Sequence, residues 1–311
     1  MSSINTNVSA MVALQSLNKT NMALEITQKR ISTGYRVGSA EDNAAYWSIA
    51  TTMRSDNSAL STVKDALGLG AATIDVAYTA TNSAIDMTKE IKNKLVAARQ
   101  PGVDRTKIQS EITELQNQLQ SIGDSAVFSG QNWLSDDSAA VGYNATKSIV
   151  ASFTRSTAGT ISIGTISIDT SSTLLYDTGA TGVGIIDGLR DATGAIAVAG
   201  TSVAALDISA LTDSAADITI LEAHIARADT AITEMTDSAS LLGASKQRVS
   251  LQRSFVVALM DAVDRGISTL VDADMTEEST KLQALQVQQQ LGIQSLSIAN
   301  QQSQSILTLF R

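Results

Sequence analysis

The chain has 311 residues, a formal net charge of −9, no cysteine, a single proline and only 4% aromatic residues. The absence of thiols excludes disulfides, cysteine nucleophiles and thiolate metal sites. The acidic balance excludes a typical nucleic-acid binder, which clusters Lys and Arg on one face. Large globular cores lean on aromatic area, so a mainly α, elongated coiled-coil or helical-bundle rod is expected instead.

From Met1 to Leu24 the only charged residue is Lys19. Met1 to Asn21 has neither a basic stretch nor a continuous apolar run, so no cleaved signal peptide is expected. No stretch of about 18 apolar residues occurs anywhere, so no membrane partner is expected. Leu17, Leu24 and Ile31 repeat every seven residues, with Leu14 and Gln28 on the flanking steps, which predicts a helix with one packed face.

A second seam runs through Ile49, Met53, Leu60, Val63, Leu67, Ile74, Tyr78, Ile85 and Leu95, with small or polar residues such as Gly70 and Thr81 in the gaps. Such spacing keeps one helix face against a partner helix. Gln100-Pro101-Gly102 ends it, and Asp104 can cap a new helix carrying Ile108, Ile112, Leu115, Leu119 and Ile122. An antiparallel hairpin follows from the pair.

The middle of the chain reads differently. Between 148 and 169, Ile161 and Ile163 alternate with Thr160 and Ser162, Gly164-Thr165 reads as a turn, and Ile166 and Ile168 resume the alternation. The stretch 177–206 is rich in Gly, Ala, Thr and Ser, with weak pairs such as Ala197 and Ala199, and is expected to be a small exposed excursion. A third seam then takes Ile218, Leu221, Ile225, Ala228, Ile232, Met235, Ala239, Leu242, Val249, Val256, Met260, Val263, Ile267 and Leu270. Only Lys246 and Arg253 interrupt it. At about 1.5 Å per residue this helix would run roughly 80 Å.

From Leu282 onward the only charged residue is Arg311, and nine glutamines lie among the apolar positions. Leu285, Ile293, Leu296, Leu307 and Phe310 form one stripe, and Val287, Leu291, Ile298, Ile306 and Leu309 a second. A solvated helix normally carries charge on its outer face. Two helices apolar on two sides cannot enclose each other, and further copies of the chain are the simplest cover. The terminal helices are therefore the expected polymerisation surface.

Groups suited to chemistry are sparse. His224 is the only histidine and reads as a surface or boundary residue beside Ile225. Gly68 and Gly70 lack the third glycine of a dinucleotide loop, since Thr73 stands in its place, and read as small residues at a close helix contact. Asp136-Asp137 and Glu277-Glu278 read as solvated carboxylate pairs, and Trp47 as a packing residue. No catalytic, metal or cofactor site is expected, and the chain does not read as an enzyme. A signalling coiled coil shares the heptads and the Ala, Gln and Ser richness, but its charged surface would not vanish at both termini.

Both ends resemble bacterial flagellin. The segment Lys29 to Ala45 is similar to the family's N-terminal signature at Ser32, Thr33, Gly34, Arg36, Ala40, Asp42, Ala44 and Ala45, and continues through Ile49-Ala50 and Met53-Arg54. Ala299-Asn300-Gln301 and the ending Ile306 to Arg311 look like the family's C-terminus. The resemblance spans about the first 135 and last 100 residues. It implies a flagellar filament subunit, exported through the flagellar type III pathway into an extracellular filament. Its implied partners are copies of itself or related flagellins, the junction and cap proteins of the flagellum, and an export chaperone. A hook–filament junction protein of the same superfamily shares these end motifs.

In domain terms the resemblance implies that 1–38 and 272–311 pair as an inner coiled coil. Residues 39–176 and 207–271 then form a long-helix rod with the β-hairpin region near 148–169, and 177–206 points outward. Two departures concern immune recognition. Tyr46 and Trp47 replace the family's usual Gly-Leu, and Asn43 stands where a second Asp is common, beside Glu41. Glu90, Asn93 and Lys94 lie where many flagellins carry an Arg-rich stretch read by the animal receptor. Altered contacts with animal and plant flagellin receptors are the expectation.

Overall fold

The computed structural model describes residues 6–179, 182–197 and 200–309, with side chains in the last helix described through Gln302. Five helices carry the fold: α1 (Val8–Thr33), α2 (Ala44–Ala98), α3 (Arg105–Ser125), α4 (Ala215–Val271) and α5 (Met275–Leu309). Between α3 and α4 lie six short strands: β1 (Val127–Phe128), β2 (Gln131–Asn132), β3 (Ser135–Asp136), β4 (Thr146–Arg155), β5 (Ile161–Asp169) and β6 (Tyr176–Asp177). The mainly α expectation, with a small β-containing middle, holds. No described helix is long and apolar enough to cross a membrane. The chain divides into two compact units, one of residues 1–58 with 260–311 and the other of residues 59–259.

In the second unit, α2 and α4 run antiparallel. Lys92 pairs with Asp229 at 2.6 Å, Arg99 with Glu222 at 2.5 Å, and Lys246 with Asp75. The buried row on α2 is Leu60, Val63, Leu67, Gly70, Ile74, Ala77, Thr81, Ala84, Thr88, Ile91, Leu95 and Ala98, an unbroken alternation of three- and four-residue steps. The facing row on α4 is Leu221, His224, Ala228, Ala231, Met235, Ser238, Leu242, Val249 and Val256. Six of these twelve α2 residues and four of these nine α4 residues are small or polar, and this lets the helices approach closely. Pro101 and Gly102 break α2 from α3, whose N-cap is Asp104 with its side chain accepting from the Lys107 N–H. The hairpin is joined by Lys94–Glu111 at 2.6 Å and by Arg105, which donates to Ala98 O at the end of α2.

β4 and β5 form an antiparallel hairpin with a bulge between Val150 and Ser152. Here the structure corrects the expected turn. Gly164-Thr165 lies inside β5, and the chain reverses at 156–160 instead, where Ser156 and Thr160 bond and Gly159 has φ +83°. Gly164 pairs with Ser152 just past the bulge, a strand site where glycine accommodates a local change of pleat. The hairpin lies on α4 through Gln252, which donates to Ala151 O at 2.9 Å. It lies on α2 through Ile149, whose side chain occupies the space a Cβ at Gly70 would need. Gly70 is thus a close-contact glycine, though its neighbour is a strand side chain as well as a helix.

The expected exposed excursion at 177–206 is also corrected. Ile185, Ile186, Arg190, Val203 and Leu206 are buried. Gln109 and Gln116 on α3 donate to Leu206 O and Val203 O, and Gln109 accepts from the Ile208 N–H. Arg190 is 0% exposed and forks onto Glu234 of α4 at 3.1 and 2.5 Å. A Gly- and Ala-rich segment folds against helices here because side chains on α3 and α4 supply the hydrogen bonds its irregular backbone requires.

His224 is likewise not at the surface. It occupies a seam position of α4, and its Nδ1 lies 2.9 Å from the Arg227 guanidinium. Burial, and then the Arg227 charge, lower its pKa from 6.5 to about 4, so the ring is neutral near pH 7.

Candidate functional site

The first unit is built on a thin seam. On α1 the inward row is Ala10, Ala13, Leu17, Thr20, Leu24, Thr27 and Ile31. On α5 it is Glu278, Leu282, Leu285, Gln289, Gly292, Leu296 and Ala299. Both rows keep a strict heptad, so the faces stay in contact along an antiparallel pair. Gln289 bonds Asn21 at 2.8 Å, and Asn7, the N-cap of α1, donates to Ala299 O at 2.9 Å. Arg30 and Glu278 close the pair at 2.8 Å, with Glu278 only 6% exposed. Glu278 was expected on the surface; it is buried because its position falls in step with the seam, while Glu277 remains exposed.

The large apolar residues of these helices mostly point the other way. Val8, Met11, Val12, Leu14, Met22 and Ile26 of α1 are exposed, as are Val287, Leu291, Ile293 and Ile298 of α5. Of the residues expected to drive polymerisation, Leu17, Leu24, Ile31 and Leu296 are half-buried on the seam and Leu285 is buried. Leu14, Leu291, Ile293 and Ile298 face outward. Ile293 is not on the stripe of Leu285 and Leu296, because Gly292 holds that position and brings the Leu17 side chain against the helix. The side chains of Leu307 and Leu309, and all of Phe310 and Arg311, lie outside the described residues.

The segment between α1 and α2 is tied down by its signature residues. Gly34 ends α1 in the left-handed region, φ +73°, donating to Arg30 O at 2.8 Å, a position that favours glycine. The N–H groups of Arg36 and Val37 both donate to Val271 O, and the Arg36 guanidinium donates to the carbonyls of Thr269 and Leu270. One arginine thereby satisfies the open C-terminal end of α4. Val37 packs with Ala50, Ile267 and Val271, and Met53, Val263 and Leu270 flank them. Asp42 accepts from the N–H groups of Gly38 and Ser39, which hold its carboxyl below the usual range despite opposing desolvation. Asn43 accepts from the N–H groups of Ala45 and Tyr46 and so caps α2. Ser32, Thr33, Ala40, Ala44, Ala45 and Asn300 are exposed.

The residues expected to alter receptor contacts lie on two surfaces. Glu41 is exposed, and Tyr46 and Trp47 are 41% and 38% exposed, so Trp47 is not the packing residue expected of it. It precedes the buried Ala50 by three residues and so shares its side of α2, but stands in the exposed first turn of the helix. Glu90 and Asn93 are exposed on α2, while Lys94 is engaged by Glu111, whose hydrogen bond raises the lysine pKa.

Sequence reasoning missed two polar ties, Arg30–Glu278 and Arg190–Glu234. The first carried a signal, since Glu278, Leu285, Gly292 and Ala299 repeat every seven residues. The second carried none, because Arg190 sits in a segment without periodicity. Among the described residues no group of three or more His, Cys, Asp or Glu is placed to hold a metal ion.

Comparison with known proteins agrees with this architecture. Residues 4–139 match the family model for the bacterial flagellin N-terminal helical region, and residues 225–310 match that for the C-terminal helical region. The chain is 52% identical to Flagellin C of Rhizobium meliloti (strain 1021) over 326 aligned residues, covering the whole of both chains. It is 45% identical to Flagellin A of the same strain over 396 and 41% identical to the flagellin of Brucella melitensis biotype 1 over 312, again across the whole of both chains.

Proposed function

The chain belongs to the bacterial flagellin family, and on that premise we propose that it polymerises with copies of itself through the outward faces of α1 and α5. It is a structural subunit of the flagellar filament, outside the cell, and serves swimming motility. The observation that carries the assembly reading is the set of large apolar side chains left outside the seam. The α1–α5 seam interleaves Leu17, Leu24, Ile31, Leu282, Leu285 and Leu296 with Ala, Thr, Gln and Gly, while Val8, Met11, Met22, Val287, Leu291 and Ile298 face out. An exposed apolar face of this extent marks an interaction surface, and heterologous contacts that do not close generate a filament.

In this reading the subunit has no catalytic role. It leaves the cell with an export chaperone and meets junction and cap proteins at the ends of the filament. Residues 1–38 and 272–311 are its inner coiled coil, and 39–176 with 207–271 its long-helix domain. Tyr46, Trp47, Asn43 and Glu41 on one surface, and Glu90, Asn93 and Lys94 on the other, weaken recognition by flagellin receptors.

Electron microscopy of the purified chain under polymerising conditions tests the assembly reading. Long filaments are expected from the natural sequence. Leu291→Asp is expected to lose them while leaving thermal unfolding of the monomer unchanged, because Leu291 contributes nothing to the α1–α5 seam. Filaments of normal length from Leu291→Asp would refute the role given to this face.

A further inference from the structure

We propose that Met11 and Met22 form an oxidation site whose conversion to methionine sulfoxide by a peroxide blocks self-assembly, and which assembly itself protects. The inference rests on the reading that copies of the chain cover the outward face of α1.

Met11 and Met22 are eleven residues apart, which in an α-helix is about three turns, so both point to one side. Their side is opposite the row of Ala13, Leu17, Thr20, Leu24 and Thr27 that faces α5. They are 63% and 65% exposed, whereas Met235, on the seam of α4, is 0% exposed. Met53, Met87 and Met260 are half-buried, and Met275 is exposed at the start of α5. One chain therefore presents a graded set of thioethers, with the two most accessible described ones on a single assembly face.

The chemistry is a two-electron oxygen transfer. A sulfur lone pair attacks one peroxide oxygen, the O–O bond breaks, an S–O bond forms, and the peroxide is reduced to water. The product replaces a soft apolar group with a strongly polar one. Neighbouring side chains on α1 are the apolar Val8, Val12, Leu14 and Ile26, together with Gln15 one turn after Met11 and Asn18 and Lys19 one turn before Met22. Enclosing that oxygen between copies strips its hydration and sets a polar group where a thioether had packed, which costs free energy. Once the face is covered, peroxide cannot reach it, so the site is open only before the subunit is incorporated.

The test uses the full chain and hydrogen peroxide. Peptide mass spectrometry follows each methionine, and the critical concentration for filament formation is read by sedimentation and electron microscopy. In the monomer, Met11 and Met22 are expected to oxidise well before Met235, and the critical concentration to rise about tenfold or more. Methionine sulfoxide reductases are expected to restore it. The double variant Met11→Leu, Met22→Leu is expected to assemble equally well before and after peroxide treatment. In preformed filaments both residues are expected to resist peroxide.

Unchanged assembly by chain carrying both sulfoxides would overturn the proposal. So would equal loss of assembly in the double variant, failure of the reductases to restore it, or filament oxidation as fast as in the monomer. Were the double variant to assemble poorly before treatment, recovery of the oxidised natural chain by the reductases would still decide. Absence of filaments from untreated natural chain is a different result, which removes the filament reading itself.

Discussion

Arg190→Ala should unfasten the segment 182–206 from the helices beneath it. The guanidinium donates to Ile185 O at 2.7 Å and Gly194 O at 2.8 Å, and forks onto the Glu234 carboxylate. Truncation leaves two buried carbonyls without their donor and a carboxylate without its charge partner. Breaking a buried pair by removing one member costs about 3–5 kcal/mol. Glu234 keeps 35% side-chain exposure, so water compensates part of the loss and the lower end, about 3 kcal/mol, is expected. At about 2–4 °C per kcal/mol for a domain of this size, Tm should fall by about 6–12 °C. Circular dichroism melts of the monomer give the shift, and hydrogen exchange locates it. The amides of Ile186 and Ala204, bonded to Leu175 O and Ile186 O, should lose protection before those of α2. Glu234→Gln retains an acceptor and should cost less. A Tm for Arg190→Ala within about 2 °C of the natural chain would show that the segment is held by apolar contact alone and refute the argument.

Three further perturbations have expected outcomes. Gly70→Val puts side-chain carbon where Ile149 lies and should cost about 1–3 kcal/mol by overpacking; pairing it with Ile149→Ala should recover part of that in a denaturation-based double-mutant cycle. Glu278→Ala leaves Arg30 without its partner at the start of the α1–α5 pair, and should cost about 1–3 kcal/mol, seen as lost amide protection in α1 with α2 and α4 unaffected. His224 should make stability pH-dependent: its folded pKa, about 4, lies below its ordinary 6.5, so the unfolded chain binds the extra proton. Its contribution is complete above about pH 6.5 and is lost progressively as pH falls toward 4. His224→Gln should flatten the urea-unfolding free energy against pH over that window, and an unchanged slope would place the ring in water.

The helices were legible because their seams are strictly periodic, and the break at Pro101-Gly102 with its Asp104 cap was legible because those residues have few other uses. What the periodicity hid was which of two adjacent residues faces the partner. Following the largest apolar side chain selects Ile225, Ile232 and Ile293, but the structure turns inward His224, Ala231 and Gly292. Size is a poor guide where two backbones approach closely, because the contact line then belongs to small residues and the bulky neighbour is rotated about 100° away. The turn in the β-hairpin was misplaced for a related reason: Gly164 answers to a bulge on the opposite strand, a constraint that lies outside its own segment. Arg190 was illegible altogether, since its partners come from Ile185, Gly194 and a helix more than forty residues on.

The same displacement accounts for the surface proposed for assembly. Had Ile293 and Leu291 filled the α5 seam, the α1–α5 pair would have a self-sufficient core and a polar exterior, as a solitary hairpin requires. With Gly292, Gln289 and Ala299 sharing the α5 seam with Leu282, Leu285 and Leu296, much of the pair's large apolar area stays outside. Under the assembly proposal, an apolar outer face is what an element needs when its stable state includes its neighbours. The stretch from Leu282 to Phe310, which carries no charged side chain, fits the same proposal, since a lysine or glutamate on that face would have to be desolvated each time a copy was added.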